Sequence, residues 1–202
     1  MLSSDPAQPN LDVYGMYWLL EGLGRNGYID EAIQVIKVYY GHMIAEGATT
    51  WWEHFDSNQS YYQSLSHSWG GSPTWFLSKY GLGLQWLSKD QWYASPGIQV
   101  LDHAAGSLPR PGQLASEKIG DAVLISWSRG LDGRIMIDLA SPEGTQGSIE
   151  IPRVCVESGI QLDGVFVTQP SISKPGLNQG EEPSIRINLL GGLHQLLLNP
   201  GC

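Results

Sequence analysis

Residues 30–56 read DEAIQVIKVYYGHMIAEGATTWWEHFD. Ala32, Ile33, Ile36, Tyr39, Tyr40 and Met43, with Ile29 just ahead of them, recur at the i, i+3, i+4, i+7 spacing of one helical face. Asp30 stands where a helix cap is expected, and Gly47 where a helix ends. After Gly47 the helical period stops. Thr49, Thr50, Trp51, Trp52, Glu53, His54, Phe55 and Asp56 follow in one run. The stretch therefore predicts an amphipathic helix that delivers a polar, aromatic loop.

Toward the N-terminus, Leu11, Tyr14, Trp18, Leu19, Leu20 and Leu23 recur at helical spacing. Gly24 and Gly27 flank the turn that joins this helix to the next. The two read as an antiparallel helical hairpin. Toward the C-terminus a third helix is expected from Ser72-Pro73, with Ser72 as cap and Pro73 in the first turn. It carries Trp75, Phe76 and Tyr80 and stops at Gly81. The connection 47–72 is long for a compact domain, and such connections are usually functional or mobile.

From about residue 95 the period changes to two. Val123, Ile125 and Trp127 alternate with smaller or polar residues, as do Ile135, Ile137 and Leu139. A Leu131-Asp132-Gly133 turn joins the two runs, which is a hairpin signal. Short runs follow at Ser148–Ile151, Gln161–Thr168, Ser184–Leu190 and Leu193–Leu198, separated by Pro and Gly clusters. Strands without intervening helices predict an antiparallel β-sandwich. The expected fold class is α+β: helical hairpins in 1–92 and a β-sandwich in 93–202, parted near Ser95-Pro96-Gly97.

Composition narrows the function. The formal net charge of −9 and the absence of a Lys/Arg run argue against nucleic acid as a partner. No apolar run reaches the length of a membrane span, so no membrane partner is expected. The start MLSSDPAQPN has neither the basic nor the apolar region of a secretory signal. Cys155 and Cys202 are too few for a disulfide framework or a metal cluster, and the five histidines lack ligand-like spacing. Neither a metal nor another cofactor is expected. Asn58-Gln59-Ser60 fits a glycosylation acceptor triplet. Eight Trp and nine Tyr stand against three Phe. Residues that pair a flat apolar face with a polar handle suit a half-wet cleft better than a dry core.

Glu53 directly follows the indoles Trp51 and Trp52, and Ser64-Leu65-Ser66-His67-Ser68-Trp69-Gly70-Gly71 follows within the same connection. A carboxylate, an imidazole and indole faces are what a sugar-processing pocket needs. The carboxylate moves a proton, and Trp51, Trp52 or Trp69 can cover the C–H side of a pyranose. Glycoside cleavage requires a second carboxyl, standing roughly 6.5–9.5 Å away in inverting enzymes. Asp56 is too near in sequence to face Glu53 across a sugar, and Glu21, Asp30, Glu31 and Glu46 lie on or beside helices. The chain thus supplies one half of an acid/base pair. Donors to Glu53 are expected from Thr49, Thr50 or His67. Gly70 and Gly71 allow close backbone approach. The plainer reading of the same residues is an aromatic core with a satisfied histidine.

GATTWWEHFD at 47–56, followed by SLSHSWGGSPTWFLSKYGLG at 64–83, resembles the end of the catalytic domain of α-L-rhamnosidases, glycoside hydrolase family 78. DEAIQVIKVYYGHMIAEG at 30–47 fits the penultimate helix of that domain, and the VLISWSR and IEIP runs fit the small β-domain after it. The resemblance implies part of an (α/α)6 barrel and an inverting mechanism. It implies Glu53 as general base and His67 as a rhamnose contact. It places the general acid on an earlier part of the barrel that has no counterpart here. It also implies rhamnosides as substrates and the remainder of the enzyme as a partner. The competing expectation is a non-catalytic carbohydrate-binding or structural remnant.

Overall fold

The computed structural model describes residues 2, 4–7, 9–56, 63–112, 121–156, 159–168, 171–173 and 183–200. The Asn58-Gln59-Ser60 triplet and Cys202 lie outside the described residues. The chain has two compact units, Met1–Leu77 and Ser78–Cys202. One is helical and the other is built on a sheet, so the fold class is α+β as expected.

In the helical unit, helix α1, Val13–Arg25, starts where the Asp12 carboxylate accepts the Gly15 N–H at 2.6 Å. That bond satisfies one of the orphan donors of the first turn. Helix α2, Ile29–Val35, continues through a π-helical turn, Ile36–Tyr40, into α3, Gly41–Ala45. The predicted single helix is therefore present, with one wide turn inside it. Asp30 is not its cap. Tyr28 occupies that position without a side-chain hydrogen bond, and Asp30 sits in the first turn, where a carboxylate complements the helix dipole. Gly47 follows the helix with φ +97°, a conformation a side chain would strain. Val13, Met16 and Leu20 of α1 pack in the core with Ile29, Ala32, Ile33, Tyr40 and Met43. Tyr14 and Trp18, expected on the apolar face, are instead 44% and 59% exposed.

A 3-10 turn, Ser68–Gly71, leads into α4, Ser72–Phe76, and a π-helical turn follows at Leu77–Gly81. Pro73 is in the first turn as expected. Gly71, not Ser72, is the cap. The Ser72 hydroxyl is buried and bonded to the Tyr40 hydroxyl at 2.6 Å, so it faces the core rather than the helix end.

The second unit is built on a sheet with nine strands among the described residues. Its strands are β1 Leu84–Trp86, β2 Gln91–Ala94, β3 His103–Pro109, β4 Ala122–Arg129, β5 Ile135–Pro152, β6 Ile160–Leu162, β7 Val165–Phe166, β8 Ser171–Ser173 and β9 Ser184–Leu198. The predicted β4–β5 hairpin forms, with Gly133 at φ +78° in its turn. Ser148–Ile151 is the far end of β5. Ser184–Leu190 and Leu193–Leu198 are one strand, β9, so strands that read as separate are continuous. The register of β5 on β9 shifts between Ser141 and Gln146, opposite Gly191 and Gly192. Such an irregularity bends a strand without ending it. The first half of β5 has β4 on its other side and the second half has β2. Both halves feed one core, with Ile135, Ile137, Leu139, Ile149 and Ile151 from β5 against Ile185, Ile187, Leu189, Leu196 and Leu198 from β9.

The sandwich reading predicts antiparallel strands throughout, but the β2–β5 pair is parallel. β3 and β4 lie between them in sequence, so no tight turn dictates the antiparallel sense. Trp92 is 1% exposed and lies on Gly147, where a Cβ would stand 2.1 Å from the indole Cδ2. Only glycine leaves room there. Cys155 is buried and disulfide-bonded.

Candidate active site

The segments around Glu53 and His67 run alongside one another. The Glu53 N–H donates to the Ser64 carbonyl at 3.0 Å, and the His67 N–H donates to the Trp51 carbonyl at 2.7 Å. The Thr50 hydroxyl donates to the Leu65 carbonyl. The Ser64 N–H closes the set by donating to Glu53 Oε2 at 2.9 Å. Backbone pairing therefore brings the two ends of the connection together, and a main-chain donor orients the carboxylate. The expected donors were Thr49, Thr50 or His67. The observed donor is the Ser64 N–H, and the Thr50 hydroxyl is spent on Leu65. Glu53 is half-buried, and its Oε1 accepts no hydrogen bond from the described residues.

Tyr40 anchors this arrangement from the helical side. Its ring meets Trp51 edge-on at 5.6 Å and Phe55 at 5.1 Å, while its hydroxyl holds Ser72 at the start of α4. The Trp51 indole N–H donates to the Thr74 hydroxyl at 3.2 Å. Trp51 is thus clamped between α4 and the wide turn after α2. Gly70 is needed for the close approach, because a Cβ there would lie 2.8 Å from the Trp52 carbonyl oxygen. Trp52 is 7% exposed, and its N–H points to the Met43 sulfur at 3.4 Å.

Trp69 differs from Trp52 in being 60% exposed. It meets the His67 ring at right angles, with centroids 5.3 Å apart, and the Tyr14 ring at 4.9 Å. Glu53, Trp51 and His67 are drawn together through their backbones, and Trp69 joins them through its ring. Trp52 packs inward. Ser64 and Tyr40 were not singled out from the sequence. Ser64 acts through its backbone, which no side-chain pattern reports. Tyr40 carried a signal, as a tyrosine in a core-facing position whose hydroxyl needs a buried partner. Among the described residues, no group of three or more His, Cys, Asp or Glu is placed to hold a metal ion.

Burial pushes the Tyr40 hydroxyl up to about 12, partly offset by its bond to Ser72. An unfolded tyrosine releases its proton near 10. The folded state therefore keeps the proton longer, and this contribution to stability is complete below about pH 10 and declines as pH rises from about 10 to 12. Urea midpoints across that range should fall, and Tyr40→Phe should flatten the fall while costing about 1 kcal/mol at neutral pH for the lost Ser72 bond. Equal alkaline slopes in both proteins would refute the assignment.

Residues 7–80 match the model of the bacterial alpha-L-rhamnosidase 6 hairpin glycosidase domain. No curated protein matches the chain in sequence. The chain is similar in structure to an alpha-L-rhamnosidase from Dictyoglumus thermophilum, with a TM-score of 0.70 and 19% identity, over 93% of this chain and 21% of that one. An alpha-L-rhamnosidase from Streptomyces avermitilis, solved with L-rhamnose, gives a TM-score of 0.64 and 18% identity, over 91% of this chain and 17% of that one. An alpha-L-rhamnosidase from Aspergillus terreus gives 0.57 and 17%, over 90% of this chain and 18% of that one. The chain spans about a fifth of the length of these structures. It has the fold of the corresponding part of these enzymes, and the family model of the six-hairpin glycosidase domain matches its residues 7–80.

Proposed function

We propose that the chain is the C-terminal portion of an inverting α-L-rhamnosidase, with residues 1–92 from the catalytic barrel, 93–202 as the β-domain, and Glu53 as general base. The observation that carries the proposal is the pairing of 50–53 with 64–67, which sets a carboxylate oriented by Ser64 beside the His67 segment. In this reading Glu53 Oε1 takes a proton from a water as that water attacks the anomeric carbon of a terminal rhamnosyl unit. His67 donates to a sugar hydroxyl. Trp51 and Trp69 shield the apolar face of the ring, and Trp52 supports them from the core. The acid that protonates the leaving oxygen is supplied by another segment of the barrel, outside these residues. The exposed Tyr14, Trp18, Ile44 and Leu65 support a surface that other hairpins cover.

The sugar side of the reading is tested by titrating the chain with L-rhamnose and following tryptophan fluorescence. A saturable change is expected with a dissociation constant in the millimolar range, about 1–50 mM. It should be lost in His67→Ala. No change up to ~100 mM refutes a formed sugar site in this chain.

A further inference from the structure

Two hollows are lined by described residues of the sheet unit, and Glu53 lines neither of them. The larger, of about 720 Å³, has its charged and amide groups committed to one another, leaving the hydroxyls of Ser107 and Ser126. His194 Nδ1 lies 2.9 Å from the Asp163 carboxylate, and the Gln195 side-chain amide donates to Asp138 at 2.8 Å. The smaller, of about 540 Å³, is lined by Leu87, Gln91, Gln146, Ser148, Arg186, Asn188 and Leu190, with Trp92, Gly147 and Leu189 beneath.

The register explains how this second hollow is built. Gln91 pairs with Gln146, which pairs with Leu190; the next same-face row is Tyr93, Ser148 and Asn188; the next is Glu150 with Arg186. Alternation puts all of them on one face of β2–β5–β9. Glu150 is fully buried, receiving the Tyr93 hydroxyl at 2.7 Å and Arg186 Nε at 2.8 Å. It cancels the charge of Arg186 and fixes the guanidinium fork, whose Nη1 has no partner among the described residues. Arg186 remains half-exposed at 46%. The side chains of Gln91, Gln146, Ser148 and Asn188 are likewise uncommitted among the described residues.

We propose that this groove is a second, non-catalytic binding site for a neutral pyranose, independent of Glu53. Each amide offers both a donor and an acceptor, as does the Ser148 hydroxyl, which matches the dual character of sugar hydroxyls. A free anion is disfavoured because Glu150 already neutralises the local cation. Leu87 and Leu190, 64% and 73% exposed, supply the apolar flanks for the C–H side of a ring. The volume lies within the range of small-ligand sites.

The test is a titration of the ¹⁵N-labelled 202-residue chain with L-rhamnose, D-galactose and D-glucose in turn, following the side-chain amide signals of Gln91, Gln146 and Asn188. At least one sugar should shift them saturably, in the millimolar range. Gln146→Ala and Asn188→Ala, both exposed positions that leave the Glu150–Arg186 pair intact, should each weaken binding about 2- to 10-fold. The response of Trp51 and His67 to L-rhamnose should be the same in these variants as in the parent, which separates the two sites. No saturable shift up to ~100 mM overturns the proposal. So does a response to phosphate or acetate without one to sugars, or sugar shifts that survive both substitutions.

Discussion

Glu53→Gln lowers kcat for an aryl α-L-rhamnoside by about 10²- to 10⁴-fold in a polypeptide that completes the six-hairpin barrel around this segment. The amide is isosteric and still accepts the Ser64 N–H through its carbonyl oxygen, so the 50–53 and 64–67 pairing is retained. What it lacks is a basic oxygen for the attacking water. L-rhamnose binding should therefore persist while turnover collapses. On the proposed reading, the 202-residue chain by itself should give no turnover, because the acid that protonates the leaving oxygen is assigned to another segment of the barrel. Turnover by the isolated chain that disappears in Glu53→Gln would show that both catalytic groups are present after all. A completed enzyme whose kcat is unchanged by Glu53→Gln would remove that carboxylate from the mechanism.

Glu150→Ala is the largest stability change expected, about 3 kcal/mol in urea unfolding of the sheet unit. Removing one partner of a buried ion pair typically costs about 3–5 kcal/mol. The lower end applies because the half-exposed Arg186 can turn to water, whereas the buried Tyr93 hydroxyl loses its acceptor. Burial raises the Tyr93 pKa first, and the Glu150 hydrogen bond and charge raise it further, against smaller opposing effects of Ser95 and Arg186. Glu150→Met combined with Arg186→Met should recover much of the loss, because two apolar side chains leave no uncompensated charge. A single variant as stable as the parent would show the pair to be neutral. A double variant less stable than Glu150→Ala would show that the pair is a net stabiliser.

Local patterns carried much of the helical unit. The i, i+3, i+4, i+7 spacing from Ile29 to Met43 was enough to predict the second helix. Gly47 ends the second helix as its position predicts, whereas the cap expected at Asp30 falls on Tyr28, and the cap at Asp12 was not read from the sequence. The Thr-Thr-Trp-Trp-Glu and Ser-Leu-Ser-His runs were enough to mark candidate chemistry. In the sheet, the alternation of Val123, Ile125 and Trp127 against Ile135, Ile137 and Leu139 gave the hairpin correctly. It failed for β5 and β9, whose Gly and Pro read as strand ends. A break in period looks the same whether a strand stops or bends, and only pairing with a neighbour distinguishes them. β1 and β2 were missed for a related reason. They are short, and Trp92 finds its place only against Gly147, more than fifty positions away in sequence.

Side-chain type and the spacing of near neighbours were sufficient to mark which residues could carry proton chemistry and where the helical period gives way to alternation. Other features came from packing: that Ser64 rather than a threonine orients Glu53, that Trp52 turns inward while Trp69 turns out, and that Glu150 and Arg186 meet on one face of the sheet. Each of these depends on which distant backbone comes alongside. That is fixed by pairing and burial across the whole chain, and no local pattern encodes it.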